Sequence, residues 1–337
     1  MSQPLHPREA LFDAGESVVS LPVCDHYAGV EVRMRKSLQL QAELGPVFDV
    51  TLDNEDGAPV GGEREHAALI VELVNSELNA FGRVGARMLP VDHPAFADVA
   101  SALVRGAGGR LAYLMLPKPR SLADVESAVA EVDRLCEQAG VAHRIPLHAL
   151  IETHGGLQQV RQIAEHPRIE SLSFGLMDFV SAHRGAIPQS AMTVTGQFEH
   201  PLVVRAKLEI SAACHAAGKV PSHSVVTEFK DEDALGVAAG KACRSFGYTR
   251  MWSIHPSQVR VIVDAFSPTA AEVDQAIEIL MAARDADWAP IRHRDTLHDR
   301  ASYRYFWHVL ERAHRTSFAN SPQLPAEVRL AFFGERV

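Results

Sequence analysis

Positive charge is in short supply in this chain of 337 residues. Lys and Arg number 33 against 42 Asp and Glu, for a formal net charge of −9. General affinity for DNA, RNA or an anionic membrane needs clustered positive charge, so nucleic acid and membrane are not expected partners. Cysteine is sparse as well. Cys24, Cys136, Cys214 and Cys243 lie far apart without a CxxC pair or zinc-finger spacing, and they read as small buried apolar residues in a reducing compartment. No run of 18 apolar residues occurs, and MSQPLHPREALFDAGE has no apolar signal-peptide core. The expected location is the cytoplasm. A GxGxxG turn after the first strand, an HExxH pair and a GxSxG elbow are all missing, which leaves dinucleotide-binding, zincin and serine-hydrolase readings unsupported. There are no internal repeats or low-complexity segments.

What is there is globular: 47% hydrophobic residues with 7% aromatics bury a large core. At roughly 150 residues per domain the length suggests two domains, but one α/β barrel absorbs ~250 residues. Strands are predicted at 17–24 (SVVSLPVC), 46–53, 83–89, 110–116, 144–152, 169–176, 219–226 and 248–254. Several are continuous apolar runs, as in a parallel sheet buried on both faces. Amphipathic helices lie between them. In SLADVESAVAEVDRLCEQAG, Ser121 can cap the start, with Asp124 three residues on, and Gly140 ends the helix; DEDALGVAAGKACRSFGY repeats the scheme with Gly247. Eight strands mostly separated by helices is the count of a TIM (β/α)8 barrel, with an open doubly wound sheet as the alternative. Gly-rich 106–109 precedes a strand and reads as a turn. The strands are expected to stop after residue 268. Residues 1–268 then form the barrel and 269–337 a helical extension, with Tyr303, Phe306, Leu310 and Phe318 on its apolar side, packing on the barrel or on a neighbouring subunit.

In such a barrel, active residues sit at the C-terminal strand ends and in the loops that follow. Few polar residues pass that filter. Strand two ends in Asp53, Glu55 and Asp56, strand three contains Arg87, and strand four runs into Lys118. Strand five ends in Glu152, strand six is followed by Asp178, and strand eight ends in His255. Glu152 and Asp178 end adjacent strands. Converging there, they repel one another unless a cation lies between them, and an all-oxygen site with few protein ligands suits Mg²⁺, or Mn²⁺, better than zinc. The competing reading makes both structural caps or salt-bridge partners. Arg87, a cation on a buried strand, needs a carboxylate from Glu55, Asp56 or a substrate. Lys118 is a Schiff-base candidate or an ion-pair partner, and His255 a general base or, with Pro256 behind it, the start of a helix.

These residues sit in a series of segments that resembles the HpcH/HpaI aldolase and citrate lyase β-subunit family. The likeness runs from about Phe48 to Pro268, roughly two-thirds of the chain. It is carried by FDVTLDNEDGAPVGGEREHA, VGARML, LMLPKP, LIETHGGLQQVRQIAEHPRIESLSFGLMDF and FGYTRMWSIHPSQVRVIVDAFSPT. The resemblance implies a TIM-barrel carbon–carbon lyase, commonly a homotrimer or hexamer, that cleaves or forms 3-hydroxyacyl or 2-oxo acid substrates. It implies Glu152 and Asp178 as Mg²⁺ ligands, with the ion acting as a Lewis acid on the developing enolate. It places Arg87 on the substrate carboxylate or carbonyl and Glu55 and Asp56 around the metal's water shell. Lys118 and His255 fall in the matching segments as substrate-binding or outer residues.

The sequence also departs from the family pattern. The first strand lacks the R-S-x-L-F-V-P-G signature, and Met251 stands where Lys is usual. The strand-seven pattern survives only as SVVTEFKDEDALG, and the tail has no V-D-x-P lid. These departures bear on the use of a CoA thioester and leave the carboxylate pair untouched. They keep two other readings open: a metal-dependent acyl-CoA thioesterase, and a non-catalytic metabolite-binding barrel within a larger complex.

Overall fold

Eight parallel strands close into a barrel in simple chain order. They are β1 (Cys24–Ala28), β2 (Phe48–Asp53), β3 (Val84–Arg87), β4 (Leu114–Leu116), β5 (Leu147–Ile151), β6 (Ile169–Phe174), β7 (Val220–His223) and β8 (Arg250–Ser253). The computed structural model describes residues 5–13, 19–228, 230–317 and 324–334. Closure is made by β1 on β8, with Cys24 opposite Met251 and His26 opposite Ser253. Nearly every strand residue is buried, as expected of a parallel sheet clothed in helices. The caps follow the sequence. Ser121 Oγ accepts from the Asp124 N–H at 3.2 Å, and Gly140 and Gly247 end their helices at φ 68° and 72°, where a side chain would be strained.

The first strand lies elsewhere than expected. Residues 19–23 of the predicted apolar run lead into the barrel without strand pairing, residues 17 and 18 lie outside the described residues, and the strand is CDHYA. Its polar residues disguise it. Asp25 points into the barrel, where Arg250 lies at 3.0 Å and the Thr51 hydroxyl donates to it at 2.7 Å. His26 Nδ1 pairs with Ser253 Oγ at 2.7 Å. Buried polar groups are tolerable when partnered, and partners on other strands cannot be seen from β1 alone.

The barrel interior is layered, as stacked inward-facing residues require. Near the N-terminal ends Arg250 bonds Asp49 at 2.6 Å, and Tyr113 stacks on His148 with centroids 4.0 Å apart. Gly85 makes room for this layer, since a Cβ there would lie 2.3 Å from the Tyr113 ring. The middle layer is apolar: Tyr27, Met115, Leu150, Val225 and Trp252. Asp53, Arg87 and Glu152 lie above it at the C-terminal ends.

The chain divides into two compact units. One is residues 19–266, the barrel; the other joins the described part of residues 1–18 to residues 267 onward. The second unit is built on the helices Ala270–Asp285, Arg300–Arg315 and Ala326–Phe333. Tyr303, Trp307, Leu310, Ile279, Leu280 and Val328 pack in its core. Leu11 joins that core from the N-terminal helix Pro7–Leu11. Phe306 is buried there too, whereas Phe318 lies outside the described residues, as does Phe229. Strands do not stop at 268: Ile291–His293 pairs antiparallel with Thr296–His298. Arg294 and Asp295 turn that hairpin at φ 44° and 64° without the Asn-Gly or Asp-Gly that usually announces such a turn. No helix among the described residues is long and apolar enough to cross a membrane.

Candidate active site

The strand register sets up the first pair. Asp53 and Arg87 are neighbours at the ends of β2 and β3. Arg87 Nε and Nη2 donate to the two Asp53 oxygens at 2.6 and 2.5 Å, and Nη1 reaches Glu55 at 3.0 Å. Asp53 also accepts from the Glu55 and Gly57 amides, both at 2.9 Å. A side chain on Gly57 would come within 2.3 Å of Asp53 Oδ2, and one on Gly29 within 1.9 Å of the Gly57 carbonyl. The loops after β1 and β2 therefore pass each other backbone to backbone, which glycine permits.

Lys118 follows β4 in the left-handed region, at φ 51°. That turn lets it serve twice. Its N–H donates to Glu152 Oε1 at 3.0 Å. Its ammonium bonds Glu55 at 2.5 Å and Asp56 at 3.0 Å and lies 3.6 Å from Asp178. Partial burial works against the charge on Lys118, but its bonds to Glu55 and Asp56 outweigh that and hold its pKa above the ordinary lysine value. Of the two readings of Lys118, the structure displays the ion pair, with Glu55 and Asp56 as its partners.

Glu152, just past β5, is 2% exposed. Burial, and then the Asp178 carboxylate, push its pKa well above the usual carboxylate range. Gly175 gives it room: a Cβ there would fall 2.2 Å from Glu152 Oε2. Asp178 sits in the first turn of the helix Leu176–Ser181 and is partly open to solvent. Glu55 is pushed up by burial, against the pull of Arg87 and Lys118.

Six of the residues singled out from sequence thus gather in one cluster: Glu55, Asp56, Arg87, Lys118, Glu152 and Asp178. Arg87 pairs with Glu55, while Asp56 goes to Lys118. His255 is exposed at the head of the helix Pro256–Phe266, with Nδ1 2.9 Å from Ser257 Oγ, so it stands as a helix-start residue apart from the cluster. Asp53 was visible in LDNED, but its role depends on the register. Beside the cluster a cavity of about 320 Å³ opens, bordered by Asp53, Arg87, Glu152 and Asp178 on one side and by Tyr27 and Trp252 on another. Among the described residues no three His, Cys, Asp or Glu converge as a ready ligand set.

A closed parallel barrel with charged groups gathered at the C-terminal ends of its strands defines an enzyme of the TIM-barrel class. The chain belongs to the HpcH/HpaI aldolase/citrate lyase family, whose family model matches residues 48–256, and this places it among the carbon–carbon lyases. A crystal structure of a citrate lyase from Burkholderia xenovorans LB400 is 54% identical, with a TM-score of 0.82, over 95% of this chain and 97% of that one. The L-malyl-CoA/beta-methylmalyl-CoA lyase of Cereibacter sphaeroides is 27% identical over 250 residues, 70% of this chain and 77% of its own. CitE from Mycobacterium tuberculosis, crystallised with magnesium, acetoacetate and coenzyme A, shares the fold at a TM-score of 0.66. It is 20% identical over 87% of this chain and 98% of its own.

Proposed function

We propose that this protein is a Mg²⁺-dependent carbon–carbon lyase acting on a 3-hydroxyacyl or 2-oxo acid substrate. The observation that carries the reading is Glu152. Its carboxylate is almost fully buried and faces the repulsion of Asp178, within a cluster where five carboxylates meet the two cations Arg87 and Lys118. A divalent cation relieves that excess, and an all-oxygen donor set with two protein carboxylates is what Mg²⁺ accepts, keeping its other positions for water and substrate. Glu152 and Asp178 would hold it. Bound there, Mg²⁺ supplies Lewis-acid charge to a substrate carbonyl.

The protein's own groups do the positioning. Asp53 fixes the Nε edge of Arg87, so Nη1 is held at the cavity wall and its 3.0 Å contact to Glu55 can be exchanged for a substrate oxygen. The Lys118 amide orients Glu152, and the Lys118 ammonium bridges Glu55 and Asp56 and offsets their charge. We take the working form to be a cytoplasmic homotrimer or hexamer, which sedimentation would establish.

Calorimetric titration of Mg²⁺ into wild type and Glu152→Gln tests the ligand assignment. Wild type should bind and the variant should lose at least tenfold; equal affinity refutes it. Product analysis with an acyl-CoA substrate separates lyase from thioesterase, because hydrolysis releases no second carbon fragment.

A further inference from the structure

The cavity is divided by chemistry. Its carboxylates come from the loops and ends of β2, β5 and β6, whereas the side made by β1, the helix after it (Glu31–Leu44) and β8 has no carboxylate and carries the donor side chains Tyr27, Arg33 and Trp252. Tyr27 and Trp252 border the cavity there and are 5% and 9% exposed. Tyr27 Oη and Trp252 Nε1 are buried with no hydrogen-bond partner. An unmade bond on a buried donor is destabilising, so two of them on neighbouring residues that border a cavity need an explanation. The rings are fixed in place. They lie 4.6 Å apart at 54°, and the Arg87 guanidinium sits 5.5 Å from the Tyr27 ring centre. Arg33 borders the same side, in the first turn of its helix, and its exposed guanidinium has no acidic partner among the described residues. Arg87 and Lys118, by contrast, are already neutralised by carboxylates.

We propose that Tyr27, Trp252 and Arg33 form a second binding subsite, which takes a carboxylate on the end of the substrate remote from Glu152 and Asp178. Burial holds the Tyr27 hydroxyl in its neutral form, so all three groups can donate, and the indole and guanidinium cannot accept. The matching ligand group is therefore an acceptor, and beside an arginine an anionic one is favoured because charge-assisted bonds are the stronger. The substrate is then a bifunctional acid: an oxo- or hydroxy-acid head at the carboxylate cluster and a second carboxylate a few carbons away. This rests on the reading of the cavity as the substrate site and deepens it.

The test compares binding of 2-oxoglutarate with 2-oxovalerate, which differ by a carboxylate against a methyl group, in the presence of Mg²⁺. Wild type should bind the diacid at least tenfold more tightly. Arg33→Gln should abolish that preference, Tyr27→Phe and Trp252→Phe should each reduce it several-fold, and 2-oxovalerate should bind all of them within about twofold of wild type. Equal binding of the two acids by wild type, or a preference that survives in the Arg33→Gln/Tyr27→Phe double variant, overturns the subsite. Thermal melts of each variant show that it is folded. Titration with Mg²⁺ alone reads the other assignment separately: a protein that prefers the diacid but binds no Mg²⁺ keeps this subsite and loses the metal site.

Discussion

Arg87 holds Asp53 with one edge of its guanidinium, Nε and Nη2 on the two carboxylate oxygens at 2.6 and 2.5 Å. Both side chains are about 95% buried. A two-point fork of this kind is specific to arginine. It spends most of the charge of Arg87 on the protein itself, so this residue positions more than it attracts. Asp53→Ala leaves a buried guanidinium with Glu55 as its remaining partner. Removing one member of a buried pair costs ~3–5 kcal/mol, and Glu55 should keep the loss near the lower end. Arg87→Lys cannot reproduce the fork and should lose activity despite keeping the charge. Urea unfolding and steady-state kinetics check the two; an Asp53→Ala protein as stable as wild type contradicts the first.

Gly175 is a prediction about space. A Cβ would sit 2.2 Å from Glu152 Oε2, and the buried carboxylate has little room to retreat. Gly175→Ala should cost about 1–3 kcal/mol through overpacking and turn Glu152 away from its place above the barrel. Mg²⁺ affinity should fall with it. The informative control is Gly45→Ala, where no atom lies within 4 Å and φ is 81°. That change should cost backbone strain and leave metal binding alone. Equal effects of the two substitutions on Mg²⁺ would show that Gly175 has no steric role at the site.

The carboxylates were legible because barrel geometry puts chemistry at strand ends, and Glu152, Asp178 and Arg87 end or follow recognisable apolar runs. Who pairs with whom was not. Arg87 meets Asp53 because the β2–β3 register sets them side by side, and register is a property of two strands. The first strand was misplaced because CDHYA buries Asp25 and His26, and hydropathy reads such residues as loop. Tyr27 and Trp252 were hidden for the opposite reason: they look like core, and their unpartnered donors emerge only from the packing. The hairpin at 291–298 escaped because its strands are three residues each and its turn residues are Arg294 and Asp295.

A second buried arginine shows a different balance. Arg250 is fully buried between Asp25 at 3.0 Å and Asp49 at 2.6 Å, and Asp49 is shared with Arg83 at 2.7 Å. Arg250→Met should cost ~3–5 kcal/mol because two carboxylates are left in the barrel interior with too little positive charge. Replacing those too, as Arg250→Met with Asp25→Asn and Asp49→Asn, should recover part of the loss. The three changes are coupled, so their effects should not add. Denaturant midpoints decide it: a triple variant less stable than the sum of its parts would show that the network is not held together by charge.

His26 is one of the groups that set acid stability. It lies beside Ser253 Oγ and edge-on to Phe48. Burial, helped by the nearby His255, pushes its pKa from 6.5 down to about 4. The unfolded chain then takes up this proton at a pH where the folded chain refuses it. Stability from this group is fully present above pH 6.5 and is lost as pH falls through the window from 6.5 to 4, amounting to about 3 kcal/mol at 1.36 kcal/mol per unit. His148 and His223 are buried and shifted in the same direction, so acid sensitivity remains in any single variant. The readout is therefore a difference: His26→Asn, which can still bond Ser253, should lose about 2–3 kcal/mol less than wild type between pH 7 and pH 4.5 in urea unfolding. Parallel pH profiles for the two proteins would mean that His26 keeps an ordinary pKa in the folded barrel.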